Sequence, residues 1–409
     1  MLSVLRQISH SKSAISSKIS VIHISKYFGH YSCHDEKKQT SPVWAWNEWD
    51  PLEEVVVGVP NNATLPFPSQ EVAATFGPPR LPFFQKHGGK KFSEVMGQEM
   101  WMKIENEIKE LVRVLEGEGV KVVQPEAIDY DQKWTTPKFS STGLYAAMPR
   151  DFLLIVGDEI IESPMAWRCR YFEYEAYRPL IRKYFNEGAR WTSAPKCTME
   201  DALYDMEFDV AQEKPYVYVT TELEPCFDAA DFTRIGRDIF GQRSHVTNKK
   251  AIQWLRRHLA PSGVRVHDIE FDSLYSMHID TNFFPVKPGM FLLKDGLNCK
   301  TPDLLKKSKW DIVIMPKGPH RDEHYKWMNY HGLPNNMLSI DTERVLVEKT
   351  EEYMIKFMQE IGFKPIPVSL KFANNLGGGF HCWTADIRRR GKLESYFEWP
   401  DEILERLTP

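Results

Sequence analysis

Residues 93–123 read SEVMGQEMWMKIENEIKELVRVLEGEGVKVV. Trp101, Ile104, Ile108, Leu111 and Leu115 recur at intervals of three and four, the spacing of one helix face. Ser93 is a good N-cap, so the helix is expected to begin there. Gly117 and Gly119 stop it, and Val120-Lys121-Val122-Val123 follows as a strand. A helix with one apolar stripe and a strand behind it must bury those surfaces against a shared core. The chain's basic unit is therefore helix, glycine turn, apolar strand.

The same grammar returns four times. Residues 181–185 precede Gly188 and a strand at 189–192, and residues 254–259 precede Gly263 and 264–266. Residues 304–309 run into 310–314, and residues 353–358 precede Gly362 and 363–366. Further strands are expected at 54–57, 152–156, 216–220, 290–293 and 344–347. Five α/β units fit a propeller or solenoid with a shared core. They also fit a doubly wound sheet, and spacing alone does not separate the two. No Pro/Gly/Ser-rich linker divides the body, so residues 42–409 are expected to be one domain.

The 409 residues are 42% hydrophobic and 26% charged, as in ordinary globular proteins. A net charge of -4 offers no basic footprint for nucleic acid. No apolar run approaches the roughly 20 residues of a membrane span. The six cysteines are scattered, against both a disulfide framework and a clustered zinc site, and a reducing environment is expected. The first 34 residues differ from the rest: they carry Arg6, Lys12, Lys18 and Lys26, are rich in serine, and have no acid before Asp35. Residues 1–41 therefore read as a mitochondrial transit peptide and tail.

Near the C-terminus, Gly377-Gly378-Gly379-Phe380-His381-Cys382-Trp383-Thr384 sets one cysteine behind three glycines. Glycine lets a backbone approach a ligand closely. A thiolate attacks electrophilic carbon. Cys382 is a candidate nucleophile in a tight cradle; the competing reading is a small buried hydrophobe after a turn. Three other segments hold polar residues in apolar surroundings. Asp151 precedes the strand at 152–156, where it either faces a cleft or caps a turn. Asp228 and Asp231 lie three apart among small residues, as in a turn or a cation site. In Met277-His278-Ile279-Asp280, a strand would place His278 and Asp280 on one face. The run Arg388-Arg389-Arg390 reads as a solvated or interface-bound face.

One cysteine, one histidine and several acids match no ordinary zinc spacing. A cysteine acyl transferase would want an oxyanion hole rather than several anions. Carboxylates suit a cation, and a guanidinium is planar with several N–H donors that they accept in bidentate fashion. A thiolate could attack its central carbon while the histidine protonates the departing amine.

Several runs, taken together and in order, resemble the glycine amidinotransferases over roughly residues 45–398. They are Asn47-Glu48-Trp49-Asp50-Pro51-Leu52-Glu53-Glu54-Val55, Pro149-Arg150-Asp151, residues 160–168, Phe227-Asp228-Ala229-Ala230-Asp231, Met277-His278-Ile279-Asp280, and Gly378-Gly379-Phe380-His381-Cys382-Trp383. The resemblance implies the pentein fold, a five-bladed α/β propeller with pseudo-fivefold symmetry. It implies transfer of an amidino group from L-arginine to glycine, giving ornithine and guanidinoacetate, the creatine precursor. It further implies a mitochondrial homodimer, at the inner membrane or in the intermembrane space, with small-molecule substrates and no cofactor or metal.

By the same resemblance, Cys382 carries the amidino intermediate and His278 is acid then base. Asp228 partners the histidine, and Asp151 and Asp280 bind the guanidinium. The family's mammalian members hold the amino-acid end of the donor with an arginine and a pair of serines. Those positions fall on Leu297, Asn329 and Tyr330 here. Asn329 and Tyr330 are therefore candidate substrate-binding residues, with Lys294 or Lys300 as candidate sources of the missing positive charge. Alternatives are a transferase with another amine acceptor, a guanidine hydrolase of the same fold, and a non-catalytic binder.

Overall fold

The computed structural model describes residues 41–211, 214–273, 277–318, 327–328 and 335–407. The proposed targeting segment before Ser41, and Asn329 and Tyr330, lie outside the described residues.

Strand β1 (Leu52–Val57) and strand β2 (Lys121–Val123) come first, followed by a small hairpin of β3 (Trp134–Thr135) and β4 (Ser140–Ser141). Four groups of three then follow in order. They are β5 (Leu153–Val156), β6 (Glu159–Glu162) and β7 (Arg190–Ser193); β8 (Phe232–Ile235), β9 (Asp238–Gln242) and β10 (Arg265–Ile269); β11 (Phe283–Lys287), β12 (Met290–Leu293) and β13 (Asp311–Ile314); and β14 (Leu338–Ser339), β15 (Arg344–Glu348) and β16 (Lys364–Val368). The last strand is β17 (Thr384–Arg389).

These form five three-stranded sheets with one repeated topology. The first two strands of each sheet are antiparallel, and the second pairs parallel with the third. A parallel neighbour needs a crossover, and a helix supplies it each time. Those helices are Gln98–Gly117, Tyr174–Asn186, Lys249–Leu259, Pro302–Lys307 and Glu352–Glu360. The unit is ββαβ. In the first sheet the leading strand is β17, which pairs with β1, so the end of the body completes its beginning. The regular repetition of separate sheets is consistent with the propeller and differs from a single doubly wound sheet.

Apolar side chains gather in five clusters, in keeping with the repeat. In Gln98–Gly117 the buried residues include Trp101, Ile104, Ile108, Leu111 and Leu115, as the spacing predicts. Burying each such side chain contributes about 1.5–3 kcal/mol relative to leaving it in water. No helix among the described residues is long and apolar enough to cross a membrane.

Four local expectations fail for physical reasons. Ser93 does not cap the long helix: it lies in a separate short helix, Phe92–Met96, and Gly97 at φ 82 breaks the chain before Gln98. Residues 216–220 form turns with one isolated bridge rather than a strand, and Tyr216 sits at φ 63. Met277-His278-Ile279-Asp280 is no strand either; His278, at φ 59, leads into a 3-10 turn, Ile279–Thr281. The run Arg388-Arg389-Arg390 is not one solvated face. Strand alternation turns Arg388 and Arg390 toward Glu53 and drives Arg389 inside, where it is 1% exposed.

Candidate active site

Each leading strand is entered through a polar residue. Asp151 stands in the helical turn Pro149–Phe152 before β5. Asp228 stands immediately before the 3-10 turn Ala229–Asp231 that leads into β8. His278 and Asp280 hold the turn before β11, Asn336 precedes β14, and Cys382 precedes β17. One repeated position thus delivers side chains from all five units.

The five residues expected from sequence, Cys382, His278, Asp228, Asp151 and Asp280, come together, each at most 4% exposed. His278 Nε2 lies 3.1 Å from Asp228 Oδ2, and its Nδ1 lies 3.5 Å from Asp151 Oδ1. The thiol of Cys382 donates to Asp280 Oδ2 at 3.5 Å. Ligand atoms of Asp151, His278 and Cys382 all lie within 4.8 Å of one another. The glycine cradle is real: Gly378 has φ 65, and a Cβ there would stand 2.5 Å from Cys382 Cβ and 3.1 Å from its Sγ. Asp231 turns elsewhere, accepting from Ser244 Oγ at 2.6 Å, and burial pushes it up to about 7.

Electrostatics follow from burial and charge. Burial, with the carboxylates of Asp280 and Asp151 nearby, pushes the Cys382 thiol up to about 12. Burial pulls the His278 imidazolium down, but Asp151 and Asp228 more than reverse this and hold it well above the usual histidine range. Burial also raises Asp280, yet the hydrogen bond and charge of His381, with the charge of His278, leave it below the usual carboxylate range. The site therefore pairs a protonated thiol with an imidazolium at neutral pH.

Sequence reasoning missed three contributors. Arg170 is 1% exposed and donates to Asp151 Oδ2 at 2.6 Å and to Glu173 at 2.9 and 3.1 Å. The signal was its spacing three residues before Glu173 on a helical turn. His381 was passed over beside the cysteine; its Nδ1 meets Asp280 Oδ2 at 2.6 Å and its Nε2 meets Glu48 Oε2 at 3.3 Å. Asn336 Oδ1 accepts the amides of Gly379 and Cys382, both at 3.0 Å. Its signal was positional: it stands before the leading strand of its unit, as Asp151 and Cys382 do. Asn336→Ala should lower kcat by about 10²-fold with little change in KM, because it frees the nucleophile's loop. Steady-state kinetics check this; a kcat within twofold or so of the parent would remove Asn336 from the site.

The clamp positions fare differently. Leu297 packs against the apolar cluster of Trp49, Phe283 and Phe291. Lys300 is engaged by Glu270 at 3.1 Å and by the Tyr216 ring.

Beneath the site lies an ion network. Arg234 holds Glu48 with two bonds, at 2.7 and 2.8 Å. Asp386 accepts from Arg150 at 2.6 Å, from Arg389 at 2.8 Å and from Arg234.

Five ββαβ units closed by the last strand on the first, with a buried site where their leading strands begin, define a pentein enzyme. No protein-family model matches the chain. It is 50% identical over 370 residues to the mitochondrial glycine amidinotransferase of Xenopus tropicalis, covering 89% of this chain and 86% of that one. It is 44% identical over 359 residues to the L-arginine:L-lysine amidinotransferase of Pseudomonas savastanoi pv. phaseolicola, covering 88% of this chain and 97% of that one. Among solved structures it is similar to SxtG, an amidinotransferase of the saxitoxin biosynthetic pathway from Microseira wollei. That match has 43% identity and a TM-score of 0.78, and covers 87% of this chain and 100% of that one. The chain belongs to the glycine amidinotransferase family, and it is an amidinotransferase.

Proposed function

We propose that this enzyme takes the amidino group of L-arginine onto Cys382 and passes it to glycine, giving ornithine and guanidinoacetate. The observation that carries the reading is the convergence of a thiol, an imidazole and three carboxylates from four units on one buried spot. Asp151 and Asp280 supply acceptors for a planar cation. A bound guanidinium offsets the negative field that keeps Cys382 protonated, so the donor itself favours the thiolate. The thiol's proton leaves to solvent by way of Asp280 Oδ2, its acceptor, which stays ionised against the guanidinium; a proton returns to the sulfur when Cys382 is released. The sulfur attacks the guanidinium carbon, and the tetrahedral adduct expels the ornithine amine, which takes a proton from the His278 imidazolium. Ornithine leaves. The now neutral His278 removes a proton from the incoming amine, whose nitrogen attacks the S-amidino carbon and restores Cys382. Asp228 orients the ring throughout, and Arg170 holds Asp151 in place.

Acceptor choice is where a second reading has support. Leu297 lies in an apolar cluster rather than offering a charge to a carboxylate. Relatives of the same family carry names that specify other amines, L-lysine among them. The test is arginine labelled at the guanidino carbon, incubated with a panel of amines and read by mass spectrometry. Labelled guanidinoacetate with glycine is expected. Another labelled product moves the acceptor, citrulline indicates hydrolysis, and no ornithine with any amine overturns the proposal.

The resemblance also supports a homodimer, which light scattering tests. It supports residues 42–409 as a single amidinotransferase domain and residues 1–41 as a mitochondrial transit peptide and tail. Four relatives bear the word mitochondrial in their names. The finer placement, at the inner membrane or in the intermembrane space, rests on resemblance alone. N-terminal sequencing of the mature protein, with fractionation of the organelle, would expose either assignment as wrong.

A further inference from the structure

We infer that Asp151, His278 and Cys382 form a three-ligand site for a thiophilic divalent cation, zinc above all, and that the metal inhibits by occupying the guanidinium position. No spacing in the sequence announces it, because each ligand comes from a different unit. Among the described residues this is the one group of three whose ligand atoms converge within 4.8 Å.

Geometry favours a small tetrahedral ion. Zinc bonds of about 2.0–2.3 Å at tetrahedral angles separate neighbouring ligand atoms by roughly 3.3–3.6 Å. The separation of Asp151 Oδ1 and His278 Nδ1, 3.5 Å, already falls there. The Cys382 sulfur lies within 4.8 Å of both.

The outer partners are those that metal ligands need. His278 Nε2 faces the Asp228 carboxylate at 3.1 Å. A metal ion would displace the Nδ1 proton of the imidazolium, while Asp228 keeps the hydrogen on Nε2, so that the Nδ1 lone pair faces the ion. Arg170 occupies Asp151 Oδ2, so the other oxygen is presented to the site. Asp151 Oδ1 is buried and accepts no hydrogen bond among the described residues; it stands 3.5 Å from His278 Nδ1, an ion pair that a bound cation would replace.

Ligand type sets the selectivity. Sulfur, nitrogen and a single oxygen suit zinc, cadmium or cobalt(II); magnesium and calcium want oxygen ligands in greater number. A thiolate and a carboxylate neutralise the dication, and three protein ligands leave one position for water or an amine. The inference does not depend on the acceptor or on turnover, since a protein that transfers nothing would still bind the ion.

The experiment adds cobalt(II) to metal-free enzyme and follows the thiolate-to-metal charge-transfer band. One equivalent should give the band, with visible absorption of a tetrahedral ion. Cys382→Ser should abolish it, Asp151→Asn should weaken cobalt binding by about 10- to 100-fold, and Cys299→Ser should leave it intact. Zinc should displace cobalt and compete with arginine in the transfer assay, EDTA should restore activity, and magnesium should do nothing. A band that survives Cys382→Ser, or zinc inhibition that arginine does not relieve, would overturn the site. So would unaltered cobalt affinity in Asp151→Asn.

Discussion

Cys382→Ala is expected to lower amidino transfer by about 10⁴-fold or more, while arginine still binds within a few-fold of the parent affinity. The proposed nucleophile has no substitute nearby: the other described thiols, Cys169, Cys197, Cys226 and Cys299, lie outside the cluster with Asp151 and His278. The carboxylates that receive the guanidinium remain, so calorimetry with arginine should separate lost chemistry from lost binding. Transfer at the parent rate would defeat the mechanism. The thiol's own behaviour gives the sign of a companion measurement. With its pKa pushed up to about 12, Cys382 is protonated at neutral pH in the empty enzyme. Alkylation by iodoacetamide should therefore be slow near pH 7 and climb as pH rises toward that value. A guanidinium analogue too short to cover the sulfur should accelerate it at constant pH.

The second large effect is structural. Asp386→Asn should destabilise the fold by about 3–5 kcal/mol, because it leaves a cluster of buried arginines short of one anion. Arg150, Arg234 and Arg389 all donate to this carboxylate, which is fully buried. Urea unfolding measures the loss, and a change under about 1 kcal/mol would mean the network is not what holds the five units together. The pH dependence has a definite direction. Burial raises Asp386, but its three arginines hold it well below the usual carboxylate range. Its stabilisation is therefore complete above the unfolded value of about 3.9 and is lost as pH falls through the depressed folded one.

Periodic features were legible in the sequence. The long helix Gln98–Gly117 and strands such as β12 follow from apolar spacing, because burial on one side imposes it. The ββαβ topology was not, since pairing of β17 with β1 is a contact between distant parts of the chain. Among site residues, Cys382 was marked by the glycines before it. His278 and Asp280 were found for a partly mistaken reason: they share the site through a 3-10 turn with His278 at φ 59, not through a strand face. A residue with a Cβ held there costs about 1–3 kcal/mol, a strain that no propensity rule anticipates. Arg389 was misjudged because a run of charges looks solvated until a buried Asp386 is known to meet it. Asn336 was invisible because an isolated asparagine carries no pattern; only the repeat gives its position meaning.

Pairing of β17 with β1 bears on biosynthesis. Leu52–Val57 leaves the ribosome long before Thr384–Arg389, so it must wait for its antiparallel neighbour until residues 58–383 have been made. The proposed nucleophile, Cys382, arrives in the same stretch, two residues ahead of that neighbour. A message cut short before this point yields a chain with neither clasp nor thiol, so premature termination should leave no partly active enzyme behind.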